Sequence, residues 1–311
     1  MTQSKSPRLI VVIGPTACGK TAFATRLAAM TDGEILSGDS RQVYRGMDIG
    51  TGKDLKDYTV DGRAIPYHLI DIAEPGEKYN VYRYQQDFAA AYADVVGRGK
   101  QPILCGGSGL YVEAVIKNYS LLSVPPNETL RTELKDKTID ELAEILSTYQ
   151  TLHNTTDLDN RRRTIRAIEI ADYMKTHNEE AGPTGGIDYT VIGLDIPREL
   201  RRERITRRLR ARLREGMADE VRGLLDKGVE AEDLIYYGLE YKYVTMYCQG
   251  QLTLEDMTAQ LEIAIHQFAK RQMPWFRGME RRGIKINWID TSQPMEQVLA
   301  QAEQIINQTH Q

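Results

Sequence analysis

Apolar residues in the first third of the chain fall into short runs that alternate with longer stretches of helical pattern. Residues 8–13 (RLIVVI) form a β-branched run that ends at a Gly-Pro pair, which predicts a buried strand. Strands that alternate with helices at this spacing predict an α/β fold with a parallel sheet. The further elements predicted here are strands at 35–36, 67–72 and 103–105, and helices at 21–30 and about 81–96.

The pattern changes near Val124, where two prolines follow. From there to about His177 the chain reads as charged helices without a convincing strand, and residues 179–188 read as a loop. We therefore predict a helical insertion at 123–187 within an α/β core formed by residues 1–122 and 188–311. Within the second part of that core the pattern predicts a strand at 189–196, a mainly helical region at 198–280 and a late strand at 284–290.

Composition excludes several classes of protein. The chain has 311 residues, of which 41% are apolar and 27% charged, and these are ordinary values for a globular protein. A formal charge of −4 means that any nucleic-acid site must come from local clusters of Arg and Lys. The three cysteines have no metal-ligand or redox spacing, and no apolar run approaches a signal peptide or a membrane span. A cytoplasmic protein without membrane association is expected.

A glycine-rich loop between the first strand and the first helix matches G-x-x-x-x-G-K-[ST] without a gap. Glycines in this motif let backbone N–H groups turn toward phosphate oxygens, while the lysine adds charge and the hydroxyl can bind Mg²⁺. A glycine-rich turn that binds nothing is the alternative interpretation. The predicted diphosphate- or triphosphate-binding residues are Gly14, Pro15, Thr16, Ala17, Cys18, Gly19, Lys20 and Thr21.

The loop alone does not choose among a kinase, an NTPase and another transferase. Asp39 and Asp71 both end predicted strands, where an acidic partner of Mg²⁺ is expected in an ATPase. Asp39 also opens the polar, glycine-punctuated segment 39–51, which is a candidate functional loop. On the residues alone, Asp39 could be a general base, a partner of Mg²⁺ or a helix cap.

Two arginine clusters are candidate anion-binding surfaces. Arg204, Arg208 and Arg212 recur at i, i+4 steps on one line of a predicted helix, where like charges repel unless an anion lies nearby. Residues 161–163 with Arg166 stand at the start of another predicted helix, where basic residues oppose the helix dipole. An RNA backbone would explain the second cluster, and a solvated basic surface is the alternative for both.

Taken together, these segments resemble the tRNA dimethylallyltransferase family, also called tRNA isopentenyltransferases, over nearly the whole chain. The segment DSRQVYRGMDIGTGK at 39–53 is much more specific than the phosphate loop. The other matching segments are GPTACGKT at 14–21, YHLID at 67–71, GGSGLYVEA at 106–114, RRTIRAIEI at 162–170, Arg204–Arg208, GMADEV at 216–221 and AKRQMPWFR at 269–277.

The resemblance implies that the loop holds the diphosphate of dimethylallyl diphosphate. The acceptor is then N6 of the adenosine 3′ of the anticodon, position 37, in tRNAs that read codons beginning with uridine. By the same resemblance Asp39 is the general base, and Ser108 assists by hydrogen bonding near the departing group. Lys20, Arg208 and Mg²⁺ bound through Thr21 neutralise the diphosphate.

The resemblance also implies a fold and partners: a P-loop NTPase-like parallel sheet with a helical insertion that clasps the tRNA anticodon stem-loop, in a protein expected to be a monomer. Ser108 replaces the usual Thr, and His266 stands where Arg is usual. The implied tRNA-contacting residues are Asp39, Ser40, Arg41, Gln42, Arg162, Arg163, Thr164, Ile165 and Arg166.

Three other functions remain open at this point. An adenylate isopentenyltransferase acts on free nucleotides with the same fold, but has less use for an insertion that carries an arginine cluster. A P-loop kinase would transfer a phosphoryl group from ATP. A non-enzymatic RNA-binding protein would retain its function without Asp39.

Overall fold

A computed structural model describes residues 7–119, 121, 124–149, 160–177 and 186–309. Within these residues a six-stranded sheet has the order β5-β2-β6-β1-β7-β8, and every pairing in it is parallel. A short antiparallel pair, β3 with β4, lies outside this sheet. The strands are β1 (Leu9–Ile13), β2 (Gly33–Ser37), β3 (Thr59–Val60), β4 (Arg63–Ala64), β5 (Tyr67–His68), β6 (Gln101–Gly106), β7 (Tyr189–Asp195) and β8 (Ile286–Asp290).

Long connections join the parallel strands of the sheet, and each contains at least one α-helix except the connection from β2 to β5. A short 3₁₀ turn, Leu55–Tyr58, precedes the β3–β4 pair. The α-helices are α1 (Lys20–Thr31), α2 (Val81–Gly97), α3 (Gly109–Ile116), α4 (Glu128–Leu134), α5 (Ile139–Ser147), α6 (Arg161–His177), α7 (Arg198–Arg214), α8 (Met217–Asp226), α9 (Ala231–Tyr236), α10 (Leu239–Cys248), α11 (Leu254–Arg281) and α12 (Met295–Thr309).

Strand β1 shows why the sheet needs helices on both of its faces. Leu9, Val11 and Ile13 are buried in one hydrophobic cluster, whereas Ile10 and Val12 are buried in a second. Side chains of successive residues in a strand point to opposite faces, so a fully apolar strand belongs in the centre of a covered sheet. The predicted α/β class with a parallel sheet is confirmed.

The chain divides into two compact units, Met1–Asn118 with Gly186–Gln311, and Tyr119–Gly185. The predicted limits of the insertion, 123 and 187, lie within a few residues of these boundaries. The first unit carries the sheet. In its described residues the second unit consists of α4, α5 and α6, which pack around Leu134, Leu142, Leu146 and Ile168.

The predicted strand at 67–72 is too long. Strand β5 ends at His68 because Leu69 and Asp71 have φ angles of 66° and 56°, which an extended strand does not allow. Sequence patterns also miss the two-residue strands β3 and β4 and the final helix α12. Most of the loop predicted at 179–188 lies outside the described residues.

The amino end of β2 carries a buried ion network away from the phosphate loop. Glu34 is 3% exposed, and its carboxylate accepts hydrogen bonds from the guanidinium of Arg98, one of them 2.7 Å long. His68 Nε2 lies 2.7 Å from the same carboxylate. The hydrogen bonds with Arg98 outweigh burial and lower the pKa of Glu34 from 4.5 to about 2.

We expect Glu34→Gln to lower the free energy of unfolding by about 2 kcal/mol at neutral pH, because it replaces charge-assisted hydrogen bonds with weaker ones. Since the folded-state pKa is depressed, the stabilisation is complete above about pH 4.5 and is lost as the pH falls towards about 2. Urea unfolding at several pH values measures this. Asp32→Asn, which removes exposed ion pairs with Arg63 and Lys100, is the control and should change stability by less than about 1 kcal/mol. Equal effects of the two substitutions would contradict the assignment.

Candidate active site at the carboxyl ends of the strands

Three polar loops meet at one edge of the sheet. Strand β6 pairs with β1 on one side and with β2 on the other, and all three run in the same direction. The loops that follow them, 14–19, 38–54 and 107–108, therefore lie side by side. Parallel sheets bind ligands at this edge, so the sheet order brings the predicted phosphate loop, Asp39 and Ser108 to one place.

The phosphate loop has the backbone that its sequence predicts. Gly14 comes so close to β7 that a Cβ there would lie 2.5 Å from the carbonyl oxygen of Leu194. Gly19 has a φ angle of 90° and is the N-cap of α1, where it offers no side-chain hydrogen bond to the helix. Because the cap has no side-chain acceptor, the first N–H groups of α1 are available to another acceptor. Lys20 folds back over the loop, and its Nζ donates to the carbonyl oxygen of Pro15 at 3.0 Å.

Thr21, the predicted ligand of Mg²⁺, lies in the first turn of α1. No acidic residue stands in that turn, and the described residues contain no cluster of three or more His, Cys, Asp or Glu side chains that could hold a metal ion. One hydroxyl beside a phosphate loop fits a Mg²⁺ ion whose other ligands are mostly phosphate oxygens and water. The same donor set does not fit a metal held by protein ligands alone.

Asp39 and Ser108 lie close together because the ends of β2 and β6 touch. A Cβ on Gly106 would lie 2.2 Å from the carbonyl oxygen of Gly38, so only glycine fits there. Ser108 Oγ accepts a hydrogen bond from Ser40 N at 3.0 Å and donates to Ser40 Oγ at 3.1 Å. Asp39 Oδ1 accepts from Arg41 N at 2.9 Å, which fixes the carboxylate at the start of its loop while leaving Oδ2 for a ligand.

The next two residues of this loop face different surroundings. Arg41 places its guanidinium carbon 5.3 Å from the ring centre of Tyr236, a side chain that is 54% exposed. Gln42 instead serves the loop itself, since it accepts from Ser37 Oγ at 3.1 Å and donates to the carbonyl oxygen of Gly52 at 3.1 Å. An arginine beside an exposed aromatic ring suits RNA, which binds through phosphate contacts and base stacking.

A buried lysine stabilises the backbone of the loop at 38–54. Lys53 is 1% exposed, and its Nζ donates to the carbonyl oxygen of Tyr44 at 2.7 Å and to Asp48 Oδ1 at 2.6 Å. It also forms an ion pair with Asp71. The cation thus has three oxygen partners, as a buried charge requires. Asp71, the alternative strand-end carboxylate, is committed to this lysine, whereas Asp39 is not.

Glu220 of α8 holds the far end of the same loop. Its Oε2 accepts from the backbone N–H groups of Asp48 and Ile49, both at 2.7 Å, and its Oε1 accepts from Gly50 N at 3.0 Å. Tyr241 donates its hydroxyl to Oε1 at 2.6 Å. Successive N–H groups of this kind form an anion-binding nest, and here a protein carboxylate fills it.

Glu220→Gln is expected to lower the free energy of unfolding by about 2–3 kcal/mol and to reduce turnover, because an amide cannot accept all four hydrogen bonds. Chemical unfolding and steady-state kinetics measure the two effects. Asp219→Asn is the matched control, since Asp219 is the preceding residue in the same helix and its exposed carboxylate pairs, among the described residues, with Arg222 at the surface. A Glu220→Gln protein as stable as this control contradicts the anchoring role.

The predicted arginine line on α7 separates into different environments. Arg212 is 5% exposed and its Nη2 lies 3.2 Å from Asp54 Oδ2, whereas Arg208 makes no hydrogen bond or ion pair with another described residue. Burial and the neighbouring charge of Arg212 lower the pKa of Arg208 to about 10, so its guanidinium stays charged at neutral pH. Glu240 of α10 also lies near these arginines. Burial raises the pKa of Glu240, and the negative charge of Asp39 is close enough to raise it further. Arg208 is a half-buried cation that can accept an anionic ligand.

Residues 162–166, the other predicted tRNA-contacting segment, belong to the second unit. Arg162 and Arg163 are exposed on the first turn of α6 and stay predictions. Arg166 is engaged within the unit, since it pairs with the buried Glu169 at 3.0 Å and donates to the carbonyl oxygen of Val124 at 2.7 Å. Thr164 is fully buried and Ile165 packs against the core of the unit, so for these two side chains the structure supports a role in packing.

Four further residues lie around the site and are not among the predicted site residues: Lys53, Glu220, Glu240 and Gln272. The signal for three of them was available, because Lys53, Glu220 and Gln272 lie within the matching segments 39–53, 216–221 and 269–277. Their side chains bind the protein's own backbone or carboxylates, and no local pattern reveals a partner that is distant in sequence.

The fold and this edge define an α/β protein with a P-loop-like phosphate loop between its first strand and its first helix. A family model described as IPP transferase matches residues 42–279. The chain is 60% identical to tRNA dimethylallyltransferase 1 of Parabacteroides distasonis, over 97% of this chain and 99% of that protein. It is 59% identical to tRNA dimethylallyltransferase 2 of Bacteroides fragilis over 93% of this chain and 94% of that protein.

Solved structures agree with these matches. The tRNA isopentenylpyrophosphate transferase of Bacillus halodurans is 32% identical, with a TM-score of 0.70 and coverage of 97% of each chain. A eukaryotic dimethylallyltransferase that acts on tRNA superposes with a TM-score of 0.74 at 23% identity, over 92% of this chain and 74% of that one, and supports the fold. The protein belongs to the IPP transferase family, which confirms the resemblance found in the sequence.

None of the helices in the described ranges combines the length and the apolar character that crossing a bilayer requires.

Proposed function

We propose that this protein is a tRNA dimethylallyltransferase, which transfers the dimethylallyl group of dimethylallyl diphosphate to N6 of adenosine 37 in tRNAs that read codons beginning with uridine. The observation that carries this proposal is that the phosphate loop and Asp39 lie at one edge of the sheet, with Arg208 of α7 close enough to Cys18 of that loop for their charges to interact. The phosphate loop supplies a diphosphate site and the carboxylate of Asp39 supplies a base. The cation of Arg208, which has no ion-pair partner among the described residues, supplies a charge for the leaving group.

In the proposed reaction, the adenine N6 attacks C1 of the allylic chain. The N6–C1 bond forms while the C1–O bond breaks, and the bonding electrons leave with the diphosphate. Asp39 accepts the proton from N6, with its carboxylate held by the hydrogen bond to Arg41 N. An exocyclic amine is a weak nucleophile, so alignment and stabilisation of the leaving group must supply most of the acceleration.

Lys20 and Arg208 stabilise the negative charge that develops on the diphosphate. Arg208 suits this role because its side chain is half-buried and, among the described residues, makes no hydrogen bond or ion pair with which the diphosphate would have to compete. A charge removed from water acts more strongly on an ion that forms beside it. Ser108 adds a hydroxyl at the same edge of the sheet, held by its hydrogen bond to Ser40 Oγ.

Mg²⁺ is the cofactor we propose, and the Thr21 hydroxyl would hold it together with oxygen atoms of the bound diphosphate. When bound, it neutralises part of the charge of the leaving group. The residues of the chain hold the phosphates, orient the acceptor and accept the proton.

For the tRNA, we propose contacts through 39–42 and through Arg162 and Arg163 on the insertion. The exposed ring of Tyr236 beside Arg41 supports the first of these, and the exposed arginines of α6 support the second. A flipped adenosine is most accessible in a single-stranded anticodon loop, where unstacking a base costs little. We further propose that the protein acts as a monomer in the cytoplasm.

The test compares an unmodified tRNA anticodon stem-loop with AMP as acceptors, each with Mg²⁺ and dimethylallyl diphosphate. We expect the stem-loop to be prenylated and AMP to react poorly. Reaction of AMP alone would identify an adenylate isopentenyltransferase instead. Phosphoryl transfer from ATP without use of dimethylallyl diphosphate would identify a kinase.

A further inference from the structure

A buried glutamine bridges the two loops that surround the phosphate site. Gln272 lies on α11 and is 8% exposed. Its Oε1 accepts a hydrogen bond from Thr16 N at 2.8 Å, and its Nε2 donates to the carbonyl oxygen of Gly107 at 3.4 Å. Both ends of the buried amide are therefore paired, so displacing it would leave polar groups without partners.

The amide stands at the end of the phosphate loop that is opposite the start of α1. Thr16 follows Pro15, whose carbonyl oxygen receives Lys20 Nζ as the lysine folds back across the loop. A Cβ on Gly107 would lie 3.3 Å from Gln272 Nε2 and 3.7 Å from Lys20 Nζ, so the amide and the ammonium group flank the same glycine. Phosphates that extend from α1 past Lys20 would meet Gln272 next.

We propose that Gln272 is a specificity-determining residue that limits the loop to two phosphates. Backbone N–H groups are the donors that bind phosphate in such a loop, and the donor of Thr16 is already occupied by Gln272. A third phosphate must break this bond and desolvate the amide, whereas a diphosphate held by α1 and Lys20 leaves it intact. The protein then rejects a triphosphate because its third phosphate makes an unfavourable contact with Gln272. This inference rests on the proposed role of the loop as a diphosphate site.

Isothermal titration of the full chain with inorganic diphosphate and with inorganic tripolyphosphate, each with excess Mg²⁺, measures this selectivity without relying on turnover. We expect the wild-type protein to bind diphosphate at least about tenfold more tightly, a difference of about 1.4 kcal/mol. Gln272→Ala removes the amide and frees Thr16 N. It should reduce the ratio of the Kd for tripolyphosphate to the Kd for diphosphate by about tenfold, chiefly through tighter binding of tripolyphosphate. Gln260→Ala, an exposed glutamine on the same helix, should leave the ratio unchanged.

A ratio that Gln272→Ala leaves unchanged overturns the proposal. If that variant does not fold, the isosteric Gln272→Glu takes its place. Its carboxylate still accepts a hydrogen bond from Thr16 N, but it adds negative charge at the end of the phosphate loop where a third phosphate would lie. The ratio of the two Kd values should therefore increase, and an unchanged ratio again overturns the proposal. Failure of the proposed function is distinguishable, since it would show as a wild-type protein that binds diphosphate selectively yet does not prenylate the stem-loop.

Discussion

Asp39→Asn is expected to lower kcat for prenylation of the anticodon stem-loop by about 10³-fold, because an amide cannot accept the proton that leaves N6. The substitution keeps an oxygen for the hydrogen bond from Arg41 N, so the loop and its contacts with the RNA should persist. Affinity for the stem-loop should therefore change by less than about threefold. Single-turnover kinetics and a binding titration separate these two quantities.

Asp61→Asn is the control for this change. Asp61 is exposed in the turn between β3 and β4 and has a φ angle of 49°, which asparagine tolerates well. Asp39→Ala should lose a similar part of turnover, since both variants lack the base. If kcat for Asp39→Asn stays within tenfold of wild type, another group accepts the proton.

Arg208→Gln is expected to reduce kcat/KM for dimethylallyl diphosphate by about 10²–10³-fold, the usual effect of removing one group that stabilises a leaving anion. Its side chain is half-buried and charged at neutral pH, with a pKa of about 10, and no described residue neutralises it by an ion pair. Arg208→Lys should restore part of the activity, since it keeps the charge but not the forked geometry.

Arg207→Gln is the matched control on the same helix. Arg207 is largely exposed and lies 3.6 Å from Glu203 in a surface ion pair, so its loss should change kcat/KM by less than about twofold. Wild-type kinetics in Arg208→Gln would show that this arginine does not face the leaving group. Varying the concentration of each substrate separately distinguishes this effect from a loss of RNA affinity.

The central elements could be predicted from the sequence because their signals are local. The β-branched run of β1 and the glycines of the phosphate loop specify a strand, a turn and a helix within about two dozen residues. The insertion was visible as a change from strand-forming to charged helical sequence. Strand β5 was predicted too long because the apolar run continues where the backbone turns at Leu69.

The ion pairs between side chains of the site could not be predicted in the same way. Which of two strand-end carboxylates is available depends on Lys53, which pairs with Asp71 and not with Asp39. Likewise, the arginines of α7 look equivalent at i, i+4 spacing, yet Asp54 engages Arg212 and leaves Arg208 unpaired among the described residues. These assignments depend on contacts between residues far apart in sequence, which spacing and composition do not encode.

Transfer of a dimethylallyl group to the tRNA is measured by the mass of a defined anticodon stem-loop after incubation with enzyme, Mg²⁺ and dimethylallyl diphosphate. We expect a gain of one five-carbon dimethylallyl unit on the adenosine 3′ of the anticodon, and no gain when that adenosine is replaced by guanosine. An RNA of unchanged mass, under conditions in which the folded protein binds inorganic diphosphate, would contradict the proposed function.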